Sequence, residues 1–220
     1  VLSAQISEAL SEEGMETEDK KGFVPTTLPV TFTPLGKGIG SLQLFAQNKA
    51  EPATEKLNVS YYWKENKNSK MNLLSQEAYE DYSMIKFIPG DMDGHAENML
   101  IDDKGNAIAI DGGLSSSPTE ANDFFEKRNQ HLFKNAPHAQ RAFSQQAETR
   151  LGRMEARFDV LKEKVTKLYQ KHTVGKDKNS WSVEQRLDRV EERVQILRKA
   201  VDERLCIGQI LGKKADYLVG

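Results

Sequence analysis

The feature that most restricts the fold is a pair of heptad-spaced apolar series late in the chain. Leu151, Met154, Phe158, Leu161, Val165, Leu168 and His172 fall alternately three and four residues apart. Val183, Leu187, Val190, Val194, Leu197 and Val201 repeat that spacing. Each series puts one apolar stripe on a helix, and a stripe of that kind has to be covered. Between them, Val174-Gly175-Lys176-Asp177-Lys178-Asn179-Ser180 is polar and turn-forming, with Ser180 as a candidate helix cap. Two stripes joined by a short loop predict a long antiparallel helical hairpin. Helix is expected from Pro118 almost to the end. Arg186, Arg189, Arg193 and Arg198 are expected on a solvated face. Such a hairpin can pack onto a core, pair within itself, or recruit a partner protein through that basic face.

The hairpin differs in charge from what precedes it. Residues 1–150 carry 15 basic and 22 acidic side chains, whereas residues 151–205 carry 14 basic and 10 acidic. Over all 220 residues, 31 Lys and Arg stand against 33 Asp and Glu, a net charge of −2. That balance lacks the basic footprint of a nucleic-acid binder, so no nucleic-acid partner is expected. With 38% hydrophobic and 29% charged residues, the chain is polar yet able to bury a core. Cys206 is the single cysteine, which excludes an intrachain disulfide framework and a Cys-rich zinc site. It is expected as a small buried residue on an apolar helical face. No apolar run is long enough to span a bilayer, and the N-terminus lacks the blocks of a signal peptide. These features predict a cytoplasmic protein. A first residue of Val1 rather than Met is what a processed or truncated chain would show.

Within the acidic part, Leu2, Ile6, Ala9 and Leu10 sit at helical spacing, and the acidic run from Glu12 to Lys21 reads as a solvated connection. Pro25, Pro29 and Pro34 punctuate Val30-Thr31-Phe32-Thr33, as on edge strands. Alternation at Leu42, Leu44 and Ala46, and again at Leu57, Val59 and Tyr61, predicts further strands. Ser75 should cap a helix running to Phe87 and stopped by Pro89-Gly90. Two short apolar runs, 99–101 and 107–110, flank Asp102-Asp103-Lys104-Gly105-Asn106 and predict a β-hairpin.

The chemistry-bearing residues lie between that helix and the end of that hairpin. Asp93, His95 and Asn98 occupy a polar loop, and Asp111 follows the hairpin beside Gly112-Gly113. Amide and carboxylate oxygens suit Mg²⁺, which takes few protein ligands and keeps phosphate oxygens and water. A further Asp can orient a hydroxyl and receive its proton during phosphoryl transfer. A calcium loop is a second reading of Asp91, Asp93, His95, Glu97 and Asp102, although Gly94 sits two positions early for an EF-hand, Asn98 holds the usual apolar position and Asp102 is a shorter closing ligand than Glu.

Asp93-x-His95-x-x-Asn98, with Asp111-x-Gly113 thirteen residues after the Asn, resembles the catalytic core of the protein-kinase-like superfamily. It is most similar to the phosphatidylinositol 3-/4-kinase branch and to minimal bacterial effector kinases. The resemblance covers about residues 75–118. It implies Asp93 as the catalytic Asp, His95 in a supporting active-site role, and Asn98 and Asp111 as Mg²⁺ ligands, with Mn²⁺ as a substitute. Gly94 stands where phosphoinositide kinases usually carry Arg, and Gly112 where many relatives carry Phe.

The same resemblance calls for a glycine-rich turn over the phosphates of ATP, a strand Lys and a helix Glu. Gly36, Lys37, Gly38 and Gly40 could form the turn. Lys49 or Lys56 could supply the lysine, and Glu51 or Glu55 its partner.

The expected fold is α+β: an N-terminal extension and abbreviated, β-rich N-lobe over 1–74, a kinase-like core over 75–140, and the helical hairpin and tail over 141–220. The expected activity is ATP·Mg-dependent transfer of a phosphoryl group to a hydroxyl of a protein or lipid, in the host cytoplasm if the chain is a secreted bacterial effector. The alternatives are a pseudokinase scaffold acting through its hairpin, and the calcium-loop protein.

Overall fold

The computed structural model describes residues 6, 8–15, 27–32, 38–43, 51–52, 74–91, 94, 98–102, 104–110, 136–172 and 182–211. They form a mixed helical and antiparallel-sheet structure, α+β in class. Strands β1 (Thr27–Phe32) and β2 (Gly38–Gln43) pair antiparallel, with Val30 opposite Gly40 and Phe32 opposite Gly38. A second sheet has the order β3-β4-β5, formed by Glu51–Pro52, Met99–Ile101 and Ala107–Ala109. The expected edge strand at Val30 and the hairpin over 99–109 are both present. The expected strand over Leu57, Val59 and Tyr61 lies outside the described residues, as do Leu44 and Ala46.

Helix α1 (Gln76–Phe87) begins where Ser75 accepts a hydrogen bond from the Ala78 amide, as its sequence predicts. Its burial is the unexpected part. Every residue from Ala78 to Phe87 is buried, so this helix has no solvated face over most of its length. Three of those residues are charged, and each is partnered. Glu80 accepts from the Ser144 amide at 2.9 Å, from the Ser144 hydroxyl, and from Gln76 at 3.0 Å. Asp81 pairs with Arg150 at 2.6 Å, and Lys86 with Asp91 at 2.7 Å. Buried charges persist in a helix only on such terms.

The heptad stripes form α2 (Gln145–Ala156), α3 (Phe158–His172) and α4 (Val183–Asp202). Leu151, Met154, Leu161 and Val165 are buried, as are Leu187, Val190, Val194 and Leu197. Helix α4 contacts both α2 and α3, and α2 also packs on α1. Of the three uses foreseen for the hairpin, two are therefore met: it pairs within itself and covers the core. The first stripe is not one continuous helix. It breaks at Arg157 (φ −111°, ψ 13°), whose guanidinium reaches Glu13 at 2.5 Å.

Glu13 explains a second difference. Residues Ser11–Met15 form a π-helical turn rather than a solvated connection. Glu13 is buried against Arg157 and Lys164, and Ile6, Ala9 and Leu10 join the same hydrophobic cluster as α1 and α4. The partners lie about 150 positions away in sequence, so no local pattern announces them. Cys206 is buried as expected, but it bridges to Ala142 just before the short helix α5 (Ile207–Leu211) instead of lying on a helical face. No helix among the described residues is long and apolar enough to cross a membrane.

Candidate functional site

The site is built from the end of α1, the start of β4 and the end of β5. Helix α1 closes with two backbone hydrogen bonds: Gly90 N–H to Phe87 O at 2.9 Å, and Asp91 N–H to Lys86 O at 2.8 Å. This is the double bond set of a Schellman ending, which needs a left-handed residue at its second-last position. Gly90 supplies it at φ +69°. Pro89 ahead of it forbids continuation of the helix. The chain therefore leaves α1 in a fixed direction, two residues before Asp93.

Lys86 then ties that exit to the far strand. Its ammonium donates to Asp91 Oδ2 at 2.7 Å and to the Ile110 carbonyl at 2.7 Å. Asp91 is thus held by Lys86 twice, through backbone and through side chain, and is fully buried. Ile110 is the residue immediately before Asp111. Its own amide donates to the Asn98 carbonyl at 3.0 Å, extending the β4–β5 ladder one step beyond Met99 and Ala109. One ammonium and one backbone bond hold the approach to Asp93, the position of Asn98 and the approach to Asp111 against one another. Asn98 is buried at the mouth of this arrangement.

At the opposite end of the hairpin, Asp102 makes the turn. Its Oδ1 accepts from the amides of Lys104 (2.9 Å) and Asn106 (2.8 Å), and its Oδ2 from the Asn106 side chain (2.8 Å). Burial works to raise the carboxyl, but these hydrogen bonds and the Lys104 charge outweigh it and hold it below its usual range. Gly105 at φ +79° completes the turn. Two of the five residues of the calcium-loop reading are thus committed elsewhere, Asp91 to Lys86 and Asp102 to the turn. Among the described residues, no group of three or more His, Cys, Asp and Glu gathers to hold a metal ion.

Of the residues singled out from sequence, Asn98, Gly38 and Gly40 are described. Gly38 and Gly40 lie on β2, just past the connection from β1. Asp93, His95, Asp111, Gly36, Lys37 and Lys49 lie outside the described residues, as do Lys56, Glu55, Glu97, Gly112 and Gly113. Glu51 cannot be the helix glutamate, because it lies on strand β3 opposite Ile101. Gly94, where phosphoinositide kinases usually carry Arg, is described and buried.

Two residues in contact with the site were not anticipated. Lys86 sits inside Met84-Ile85-Lys86-Phe87-Ile88, and a single charge within an apolar run is the signal that could have marked it. Arg193 was expected on a solvated face, yet it is only 7% exposed and donates to the Ile88 carbonyl at 3.3 Å. Its position between Val190 and Leu197, three and four residues away, places it on the buried stripe rather than opposite it. No protein-family model matches the chain, and no curated protein matches it.

Proposed function

We propose that the chain is a kinase-fold phosphotransferase that uses ATP and Mg²⁺ and transfers the terminal phosphoryl group to a hydroxyl. The observation that carries this reading is the double engagement of Lys86. Its ammonium binds the carboxylate of Asp91 and the carbonyl of Ile110 at 2.7 Å each, and so joins the stem of the Asp93–Asn98 loop to the stem of Asp111. A motif split by a hairpin is useful for chemistry only if its halves are held together, and the Lys86 bonds to Asp91 and Ile110, near neighbours of Asp93 and Asp111 in sequence, support that reading. Met99, Ile101, Ala107 and Ala109 turn one face of the intervening hairpin into the core.

The donors suit the metal in kind and number. Asn98, at the start of β4, would supply an amide oxygen, and Asp111 would add a carboxylate. Two hard oxygen ligands are what Mg²⁺ takes from protein when phosphates and water complete its shell. Bound there with ATP, the ion would neutralise charge on the phosphate oxygens. Asp93 would orient the acceptor hydroxyl for in-line attack and take its proton, and His95 would support the loop that carries it. Gly36, Lys37, Gly38 and Gly40, on and before β2, would cover the phosphates, and Lys49 would reach them from beyond that strand. The acceptor would be a protein or lipid hydroxyl.

Incubation with γ-labelled ATP, Mg²⁺ and a cell lysate tests the reaction. The wild-type protein should transfer label to an acceptor, and Asp93→Ala should lose transfer by about two to four orders of magnitude, as expected for removal of a general base. Equal labelling by wild type and Asp93→Ala would contradict the assignment.

A further inference from the structure

Among the described residues, the helical hairpin touches the stem of the Asp93 loop through a buried cation. Arg193 of α4 donates through Nη1 to the carbonyl of Ile88 at 3.3 Å. That carbonyl belongs to the end of α1, where unsatisfied carbonyls and the helix dipole favour a positive charge. The guanidinium continues beneath Gly90. A Cβ built on Gly90 would stand 2.5 Å from both Cζ and Nη2 of Arg193, closer than any real contact. Gly90 is therefore required for its left-handed backbone, and any side chain there would also have to displace the arginine tip that fills the space. Burial pushes the guanidinium down to about 10, with Glu192 opposing that shift and Arg189 adding to it. Arg193 thus remains a cation at neutral pH.

An arginine costs free energy to bury, and a leucine on the same stripe would cover α1 without that cost. What the arginine adds is a directional hold on the carbonyl and the glycine at the turn that launches the catalytic loop. We propose that Arg193 is a positioning residue for the proposed phosphotransfer, seating residues 88–91 so that Asp93 meets the acceptor hydroxyl. The inference rests on the kinase reading of the site. It makes the hairpin part of the catalytic apparatus rather than an appendage, because Arg193 holds Ile88, five positions before Asp93 in the chain. Displacement of a reacting group by about 1 Å can cost roughly a hundredfold in rate. Nucleotide affinity should be spared, since the Lys86 bond to the Ile110 carbonyl and the Ile110 amide bond to Asn98 do not pass through residues 88–91.

The experiment compares Arg193→Met, Gly90→Ala and Leu161→Ala with wild type in Mg²⁺-dependent hydrolysis of ATP and in amide hydrogen exchange. Leu161 is buried on α3 and serves as a control that loosens the hairpin without touching the turn. Arg193→Met should lower kcat by roughly a hundredfold and leave KM for ATP unchanged within experimental error. Peptides covering 88–98 should exchange faster, while 99–109 stay protected. Gly90→Ala approaches the same seat from the loop side and should show the same kcat-selective loss, so the test survives if the arginine variant does not fold. Leu161→Ala should lose thermal stability and keep kcat. Retention of kcat and of slow exchange over 88–98 in Arg193→Met would overturn the proposal, as would a loss that merely tracks melting temperature across all three variants. A wild-type protein that hydrolyses no ATP would instead overturn the kinase reading, and the exchange data alone would then decide whether Arg193 seats the turn.

Discussion

At the scale of single residues, the interior is organised by charges that are paired. Arg150 binds Asp81 through Nε at 2.6 Å and through Nη2 at 3.2 Å, with both side chains almost wholly buried. Removing one partner strands the other in a low-dielectric interior, so Asp81→Ala should cost about 3–5 kcal/mol in a urea unfolding curve. A loss below about 1 kcal/mol would place the pair among weak surface bridges. His138 makes a different prediction. It stacks on Tyr79 at 5.5 Å, and its Nε2 lies 2.9 Å from the Leu74 carbonyl. Burial lowers its affinity for a proton below the usual 6.5; the Leu74 hydrogen bond opposes that shift, and the Arg141 charge adds to it. The unfolded chain therefore takes up this proton first as pH falls. The stability His138 contributes is complete above 6.5 and is lost as pH drops through its lowered folded value. His138→Phe keeps the stacking surface and should flatten that part of the stability–pH curve; an unchanged curve would sink the argument.

At the scale of elements, the endings are as informative as the stripes. Helix α4 closes with Arg204 N–H to Val201 O at 3.0 Å and Leu205 N–H to Ala200 O at 2.8 Å, the same Schellman bond pattern that ends α1. Here the left-handed position holds Arg204 at φ +56° and is exposed, where α1 has a glycine. Arg204→Gly should therefore raise stability by about 0.5–1 kcal/mol, read from the same urea curves, and a loss would mean that the arginine side chain contributes more than its backbone strain. Elements whose causes are local were legible in the sequence: the Ser75 cap, the Pro89-Gly90 stop, the 99–109 hairpin and both heptad stripes. Elements fixed by distant partners were not. The turn Ser11–Met15 is held by Arg157 and Lys164 through Glu13, and β3 pairs with Ile101 and Leu100, some fifty positions away. The break at Arg157 has neither glycine nor proline to announce it. Charged residues conceal their burial in the sequence, since Glu13 and Arg193 look solvated until the partner is known.

At the scale of the whole molecule, one hydrophobic cluster runs from Ile6 through α1 and the β4–β5 hairpin to Ile210. The helices that dominate the sequence therefore share a core with the β4–β5 hairpin, joined to α1 by Arg150 at one end and Arg193 at the other. The candidate site was legible as spacing, and Lys86 supplies what spacing could not, the tie between the motif's halves. The central claim is that this frame presents Asn98 and Asp111 to Mg·ATP, and a thermal shift tests it without knowledge of the acceptor. A ligand at a hundred times its Kd adds about 2.7 kcal/mol, roughly 5–10 °C for a chain of this size. The wild-type protein should show such a shift with ATP only when Mg²⁺ is present, and Asp111→Ala should abolish it. No shift in the wild type, or the same shift in Asp111→Ala, would contradict the account.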